Sequence, residues 1–379
     1  MKPLGAGFAS PRGGVGQHAR HGAPTRTAIH RMPTRRMRQT YPRAELRATP
    51  FGNRAPNSGC TARWLLVDWN GATVTGRDTM TGRTEFTIPP PLTPGSHIRV
   101  VAPSGPFDRT LVLRAIGFLS ERYRVEFDWS LFDREGMFAG SDERRLDELS
   151  SALTSPKVAA IVMARGGYGL ARILPRVDIA RLRESPRWFV GFSDATALHV
   201  EAARLRVASL HADNLTGLGR GNGPARSQWI AALEQPMARR TFTHLETWSR
   251  GQAVGPLVGG NLTLLFTCAA ARRLVLPRGS ILVVEDVTES SYRIDRMLTA
   301  LLTSGALEPI AGVVVGELTD CPPGRFGVSA QEVMRERLAV LGVPVVAEFP
   351  CGHGLQNVPV PFGCNAAVDA NRGTLVFNP

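Results

Sequence analysis

Short apolar runs alternate with segments of helical period along residues 95–215. The strand-like runs cover residues 98–102, 125–129, 158–163 and 188–192. Around residues 108–121 and 141–153, apolar side chains recur every three to four positions, which is the period of an amphipathic helix. Strands that alternate with helices in this way predict a doubly wound, mostly parallel β-sheet.

The same alternation continues in residues 255–379, which predict a smaller C-terminal α/β domain. Its strands are expected at 281–285, 310–316 and 343–349. Three helices are expected: one that ends near residue 272, one at 292–302 and one at 330–341. Between the two domains, residues 216–254 form a predicted linker. The run Gly-Leu-Gly-Arg-Gly-Asn-Gly-Pro at 217–224 is typical of a linker, and a short helix is expected near 228–233. The predicted fold class is therefore α/β, with two domains joined by a linker.

The positive charge of the chain is concentrated near its beginning. The formal net charge is +13, but residues 1–63 contain twelve Lys or Arg and one acidic residue, Glu45. Residues 1–62 have no apolar period and predict a disordered basic extension, followed by a lead-in segment at 63–94 without an assigned role. A basic arm for nucleic acid, an organelle-targeting segment and an extension from a misassigned start codon all fit this composition. We favour the last of these, or an inert tail.

Composition argues against several classes of protein. No apolar run approaches the roughly 18–20 residues that span a bilayer, so no membrane segment is predicted. The five cysteines are odd in number and include no Cys-x-x-Cys pair, which argues against a disulfide framework or a zinc site and favours a cytoplasmic location. Because residues 64–379 have a net charge of only +2, nucleic acid is not an expected partner.

A serine at a strand-to-helix junction is the first candidate for chemistry. Trp188 to Phe192 forms a predicted strand, and Ser193 is flanked by the small residues Gly191 and Ala195 at positions −2 and +2. This pattern is typical of a nucleophile elbow, where the turn is too sharp for bulky neighbours and the serine oxygen stands at the tip. The alternative is that Ser193 only caps the following helix.

A serine nucleophile needs a base, a group that orients the base, and donors for an oxyanion. His353 lies between glycines just after a predicted strand, and His211 ends an apolar run, so both remain open as the base. Glu285 ends a buried strand, where it would either orient the base or cap the next helix. The turn at 165–167 and the residue after the serine, Asp194, offer backbone N–H donors, although such glycines also cradle phosphates.

Seven longer blocks of sequence occur in a defined order. They are Ala-Pro-Ser-Gly at 102–105, Phe-Ala-Gly-Ser-Asp-Glu-Arg at 138–144, Ala-Arg-Gly-Gly-Tyr-Gly-Leu-Ala-Arg at 164–172, Val-Gly-Phe-Ser-Asp-Ala-Thr-Ala-Leu-His at 190–199, Gly-Gly-Asn-Leu at 259–262, Glu-Asp at 285–286 with Tyr-Arg-Ile-Asp-Arg-Met-Leu at 292–298, and Gly-His-Gly at 352–354. Together they resemble the LD-carboxypeptidase family, which includes murein tetrapeptide carboxypeptidases and microcin C self-immunity proteins. The resemblance covers about residues 95–378 and leaves out residues 1–90.

This resemblance implies a two-domain serine peptidase whose N-terminal domain is like class I glutamine amidotransferases. It implies Ser193 as the nucleophile, Glu285 as the orienting carboxylate and His353 as the general base. The backbone N–H groups of Asp194 and Gly167 would form the oxyanion hole. Members of the family are cytoplasmic, often dimeric and metal-independent, so we expect no metal or other cofactor and a homodimer.

The implied activity is hydrolysis of an L,D-amide bond in murein tetrapeptide, with release of D-alanine for peptidoglycan recycling. A microcin-immunity-like hydrolase of peptidyl- or aminoacyl-nucleotides is the first alternative, and a non-enzymatic binding protein with a basic tail is the second. The candidate substrate-binding residues are Arg165, Gly166 and His211. After His211 the chain reads Ala212-Asp213 where the family pattern usually has Gly-Pro, so we expect a different pocket wall there.

Overall fold

The computed structural model describes residues 85–379. The predicted basic extension at 1–62 and most of the lead-in segment at 63–94 lie outside these residues, so both stay predictions. The described part of the chain forms two β-sheets with helices around them, which confirms the α/β fold class. None of its helices is long and apolar enough to cross a membrane.

Residues 85–379 contain fourteen β-strands and ten α-helices. The strands are β1 (His97–Val101), β2 (Arg124–Glu126), β3 (Val158–Met163), β4 (Trp188–Gly191), β5 (Ser209–His211), β6 (Arg240–Phe242), β7 (Glu246–Ser249), β8 (Gln252–Asn261), β9 (Ser280–Val287), β10 (Ile310–Thr319), β11 (Val345–Ala347), β12 (Val360–Phe362), β13 (Asn365–Asp369) and β14 (Thr374–Phe377). The helices are α1 (Arg109–Ser120), α2 (Asp142–Thr154), α3 (Leu170–Ile173), α4 (Arg181–Glu184), α5 (Thr196–Arg204), α6 (Leu215–Arg220), α7 (Gly223–Glu234), α8 (Leu262–Ala270), α9 (Ser291–Thr303) and α10 (Ala330–Ala339). Three short 3₁₀ helices cover Trp129–Phe132, Leu174–Arg176 and Ser193–Ala195.

The first sheet has six strands in the order β12-β5-β4-β3-β1-β2. Strands β1 to β5 are mutually parallel, as the alternation of strands and helices predicts. Parallel strands end at the same edge of a sheet, so the loops after β3 and β4 lie side by side. Those loops contain the glycine turn at 165–167 and Ser193.

The second sheet has eight strands in the order β6-β14-β13-β8-β9-β10-β11-β7. The four central strands, β8 to β11, are parallel, and the outer strands on both sides are antiparallel to their neighbours. The predicted strands correspond to β9, β10 and β11. The sequence pattern does not reveal the outer strands, because short antiparallel edge strands carry only a few alternating residues.

One strand of the first sheet comes from the end of the chain. After β11 in the second sheet, residues 348–359 form a loop that leads to β12, which pairs antiparallel with β5 of the first sheet. The next strand, β13, returns to the second sheet beside β8. The loop at 348–359, which contains His353, is therefore attached to a different sheet at each end.

Helix α5, which follows the serine, packs between elements of both sheets. Buried apolar residues such as Ile161 in β3 and Leu282 in β9 belong to one continuous core cluster with this helix. Thr196 Oγ1 accepts a hydrogen bond from the Asn261 N–H at 3.0 Å, and Asn261 Nδ2 donates to Asp286 Oδ1 at 2.9 Å. Core packing and these hydrogen bonds together fix the serine segment relative to β9.

The segment 216–254, predicted as a linker with one short helix near 228–233, contains more regular structure than expected. It contains most of α6, all of α7, the strands β6 and β7 and the start of β8. A Cβ atom placed on Gly219 would lie 2.1 Å from the carbonyl oxygen of Leu111 in α1. At this position glycine allows two helices to approach closely, and its presence does not indicate a flexible chain. Trp229 of α7 is buried and donates its indole N–H to the Asp213 carbonyl at 3.0 Å.

Two glycine-to-alanine substitutions within this segment should have different effects on stability. Gly219→Ala places a methyl group against the backbone of α1 and should lower the free energy of unfolding by about 2 kcal/mol. Gly223→Ala, whose Cβ meets no atom within 4 Å, should leave stability unchanged or raise it by up to about 1 kcal/mol. Urea denaturation of both variants measures the difference, and equal, small effects would contradict the packing of α6 on α1.

Candidate active site

Ser193 lies in a sharp turn at the carboxyl end of β4. Its backbone has a φ of 65°, in the left-handed region that non-glycine residues rarely adopt. The turn continues into the 3₁₀ helix at 193–195 and then into α5. A Cβ atom on Gly191 would lie only 3.0 Å from the Cβ of Ala195, so the two flanking positions need small residues. This geometry is that of a nucleophile elbow.

Glu285 and His353 come from distant parts of the chain and form a close pair. Glu285 lies near the end of β9 and is fully buried, and its Oε2 is 2.7 Å from His353 Nδ1. A carboxylate can only accept, so Nδ1 carries a proton, and in the neutral ring Nε2 has a free lone pair. Gly352 has a φ of 129°, and a Cβ atom there would lie 2.9 Å from Glu285 Oε2, so glycine permits this approach.

The charges around His353 favour its protonated form. Burial lowers the pKa of His353, but the hydrogen bond and the negative charge of Glu285 outweigh this effect, so the pKa lies above its usual value. Asp286 and Asp213 act in the same direction. The ring of His353 packs against Phe192, with a centroid distance of 4.8 Å. Because Phe192 immediately precedes the serine, this contact brings His353 next to the elbow.

Ser193 and His353 both line one open cavity of about 1350 Å³. Among the residues that the structure describes, no hydrogen bond joins the Ser193 hydroxyl to the imidazole. Nucleophile and base are often loosely aligned without substrate and tighten when it binds. A molecule bound in the cavity could therefore contact both the Ser193 hydroxyl and the His353 imidazole.

The glycine turn after β3 lies against the serine. A Cβ atom on Gly166 would be 2.8 Å from Ser193 Cβ and 3.0 Å from Ser193 Oγ. The Gly166 carbonyl accepts a hydrogen bond from the Gly105 N–H at 3.2 Å. In a planar trans peptide the N–H points opposite to the C=O, so the Gly167 N–H points away from Gly105. Within the described residues, neither this N–H nor that of Asp194 donates to another protein group, so both stay available to an oxyanion.

The side chain of Asp194 has a role that the sequence did not reveal. It is fully buried and accepts hydrogen bonds from Ser104 Oγ at 2.6 Å and from the Leu170 N–H at 2.9 Å. Burial raises the pKa of Asp194, while these two bonds oppose the rise. The side chain thus ties the elbow to the loops after β1 and β3, and no local pattern signals such long-range partners.

His211 does not reach the cavity, which corrects the expectation that it contacts substrate. Its side chain is fully buried among Phe192, Phe362 and His199, at centroid distances of 5.9, 5.5 and 6.1 Å. Burial lowers the pKa of His211 well below its usual value, so the ring is neutral. The pairing of β12 with β5 covers this side chain, and the sequence contains no signal of that pairing.

Arg165 and Gly166 both line the cavity. The Arg165 side chain is exposed, and its guanidinium donates to the Pro106 carbonyl. The structure therefore brings together Ser193, Glu285, His353, Gly167, Asp194, Arg165 and Gly166. It also places Asp213, Asn214 and Asn357 around the same cavity, and no motif in the sequence singles out the two asparagines.

Two domain families of known proteins match most of the described residues. The LD-carboxypeptidase N-terminal domain matches residues 98–212, and the LD-carboxypeptidase C-terminal domain matches residues 254–368. A putative carboxypeptidase of Synechocystis is 37% identical over 298 residues, which cover 77% of this chain and 97% of the relative. A probable murein peptide carboxypeptidase of Bacillus subtilis is 32% identical over 308 residues, 76% of this chain and 93% of the relative.

Solved structures share the fold. Muramoyltetrapeptide carboxypeptidase from Oxalobacter formigenes has a TM-score of 0.68 at 29% identity and covers 75% of this chain and 99% of its own. The microcin C7 self-immunity protein in complex with aspartyl sulfamoyl adenosine has a TM-score of 0.68 at 21% identity, over 77% of this chain and 98% of its own. The two domain matches and the relatives above 30% identity show that the chain belongs to the LD-carboxypeptidase family.

Proposed function

We propose that this protein is a serine carboxypeptidase that hydrolyses the L,D-amide bond of a murein tetrapeptide and releases its terminal D-alanine in peptidoglycan recycling. The observation that carries the proposal is the 2.7 Å hydrogen bond between buried Glu285 and His353, at the cavity that Ser193 also lines. The names of the Bacillus subtilis and Oxalobacter formigenes relatives support the choice of substrate.

The proposed reaction proceeds through an acyl-enzyme. Ser193 Oγ attacks the amide carbonyl while His353 Nε2 takes the hydroxyl proton, and the resulting oxyanion accepts hydrogen bonds from the N–H groups of Gly167 and Asp194. Collapse breaks the C–N bond, and His353 returns its proton to the leaving amine of D-alanine. Water, deprotonated by His353, then hydrolyses the ester, and the proton goes back to Ser193.

Glu285 supports both steps in which His353 is positively charged. Its hydrogen bond to Nδ1 holds the ring with Nε2 free, and its charge stabilises the imidazolium that forms during attack. A donor of the oxyanion hole typically contributes roughly 100- to 1,000-fold to the rate. The proposed chemistry therefore depends on charge stabilisation by groups already in place before substrate binds.

The cavity suits an extended substrate with carboxylate groups. At about 1350 Å³ it is larger than the roughly 300–1,000 Å³ of ordinary small-molecule sites. Four arginines line it, namely Arg109, Arg134, Arg165 and Arg220. We assign Arg165 to the terminal carboxylate, because it adjoins the glycine that contacts Ser193.

An aminoacyl-nucleotide is the alternative substrate with the same chemistry. It is suggested by the ligand of the microcin C7 self-immunity protein. Trp229 is buried in α7 and cannot stack on a base, whereas Phe107 and Phe132 line the cavity. The choice of the murein peptide therefore rests on the relatives named above.

The resemblance to the family supports several further proposals about this chain. The N-terminal nucleophile domain, at 95–215, would be of the class I glutamine amidotransferase type, and the C-terminal domain, at 255–379, would supply the glutamate and the histidine. The protein would act in the cytoplasm, as a homodimer and without a metal or other cofactor.

Removing the nucleophile should abolish the activity. In Ser193→Ala, release of D-alanine from murein tetrapeptide should fall at least about 10³-fold, because no other hydroxyl replaces Oγ. Ser151→Ala, on the exposed face of α2, is the matched control and should leave the rate unchanged. The same pair of variants is assayed on an aminoacyl sulfamoyl adenosine. Undiminished D-alanine release by Ser193→Ala would contradict the mechanism, and cleavage of the nucleotide alone would select the alternative substrate.

Removing the charge of Glu285 should lower the pKa of His353. Glu285→Gln keeps the size of the side chain but loses the negative charge that favours imidazolium. The base must be neutral to act, so activity is lost as pH falls through this pKa, and the acidic limb of the kcat/KM profile should move to lower pH. We expect kcat to fall at least about 100-fold, because the imidazolium loses its counter-charge. NMR titration, with His353→Gln to assign the resonance, measures the pKa, and an unchanged value would refute the pairing.

A further inference from the structure

Two consecutive residues after β5 contact both segments of the proposed active site. Asn214 Oδ1 accepts a hydrogen bond from the Phe192 N–H at 3.3 Å, directly before the serine. Asp213 Oδ1 accepts one from Asn357 Nδ2 at 3.2 Å, in the loop that contains His353. Asn214 therefore links the end of β5 to the turn at Ser193. Asp213 links it to the loop at 348–359, which is called the base loop below.

Asn357 also makes a hydrogen bond to Gly352, the residue before the proposed base. Its Oδ1 accepts a hydrogen bond from the Gly352 N–H at 3.0 Å, which leaves its Nδ2 to donate to Asp213. A carboxylate, which can only accept, is the matching partner for that amide donor. Proline, which the family pattern usually has at position 213, has no side-chain acceptor, so this connection depends on the aspartate of this chain.

We propose that Asp213 is a positioning residue that holds His353 toward Ser193 through Asn357, as the counterpart of Asn214 at the nucleophile turn. The inference rests on the proposed function, since it assigns His353 as the base. Asp213 does not touch the Ser193 hydroxyl in this arrangement. It acts by fixing the backbone at Gly352, one residue before the imidazole.

The backbone at Asp213 is itself held in place. Its backbone carbonyl accepts the indole N–H of Trp229 at 3.0 Å, and the preceding strand pairs with β4 and β12. Burial raises the pKa of Asp213, while the hydrogen bond from Asn357 and the positive charges of Arg220 and His353 oppose the rise. Because Asp213 is fixed to the first sheet, its hydrogen bond to Asn357 also fixes the loop at 348–359 relative to that sheet.

Asp213 also contributes charge to the proposed site. The titratable groups that face His353 are Glu285, Asp286, Asp213 and His211. Loss of the Asp213 charge removes one of the three carboxylates that favour the imidazolium. Removing this charge should therefore lower the pKa of His353, by less than removing that of Glu285, which makes the direct hydrogen bond.

The test separates positioning from a purely structural role. Asp213→Ala and Asn357→Ala should each lower kcat for D-alanine release by roughly 10- to 100-fold, with KM changed less than about 3-fold. The double variant should be no worse than either single one, because both substitutions break the same connection. Asp213→Asn keeps an oxygen acceptor for Asn357 and should recover kcat to within about 3-fold of the unsubstituted protein. Asp147→Ala, an exposed aspartate on α2, is the matched control.

Two further measurements complete the test. The acidic limb of the kcat/KM profile and the NMR pKa of His353 should both move to lower pH in Asp213→Asn, and urea midpoints report on stability. The proposal is overturned if Asp213→Ala keeps full kcat, or if kcat falls only in proportion to stability and Asp213→Asn rescues nothing. If the unsubstituted protein releases no D-alanine, the proposed function fails instead. In that case the NMR titration alone tests the inference. A His353 pKa that is the same in Asp213→Asn as in the unsubstituted protein overturns it.

Discussion

The antiparallel pairing of β12 with β5 is the interaction on which the proposed active site depends. It brings a strand from the end of the chain into the first sheet, with Val360 opposite His211 and Phe362 opposite Ser209. Because β5 lies beside β4, which ends at the serine turn, the loop before β12 cannot shift independently of that turn. The position of His353 is thus set by sheet formation, and the imidazole needs no direct bond to the serine to be placed near it.

A buried charge adds the second constraint. Glu285 is fully buried, and its Oε1 has no hydrogen-bond partner in the described residues. An unpaired carboxylate in such a place costs several kcal/mol, so the hydrogen bond from His353 contributes to stability as well as to the proposed chemistry. The closeness of the pair requires glycine at position 352, where any side chain would collide with the carboxylate. Stability and the proposed acid–base chemistry therefore depend on the same contact.

The loops around the cavity are held by side chains that no motif describes. Asp194 binds the loops after β1 and β3, Asn214 binds the turn before the serine, and Asp213 binds the base loop through Asn357. Each bond joins segments at least 20 residues apart. In this molecule, glycine at 219 and carboxylates at 194 and 213 serve close packing and fixed geometry, although the same residue types are typical of flexible, solvated loops.

The sequence by itself determined the α/β class, the parallel strands β1, β3 and β4, and the family, because hydrophobic period and local motifs depend only on neighbouring residues. It also singled out Ser193, Glu285 and His353, whose catalytic roles stay predictions. Without the family resemblance, its local patterns left open whether His353 or His211 approaches the serine. They also took the glycine-rich run at 217–224, which lies in α6 and the start of α7, for a linker. Only the tertiary structure decided these points. The pairing of β12 with β5 and the fit of Gly219 against Leu111 join residues more than 100 positions apart, and no local period encodes such contacts.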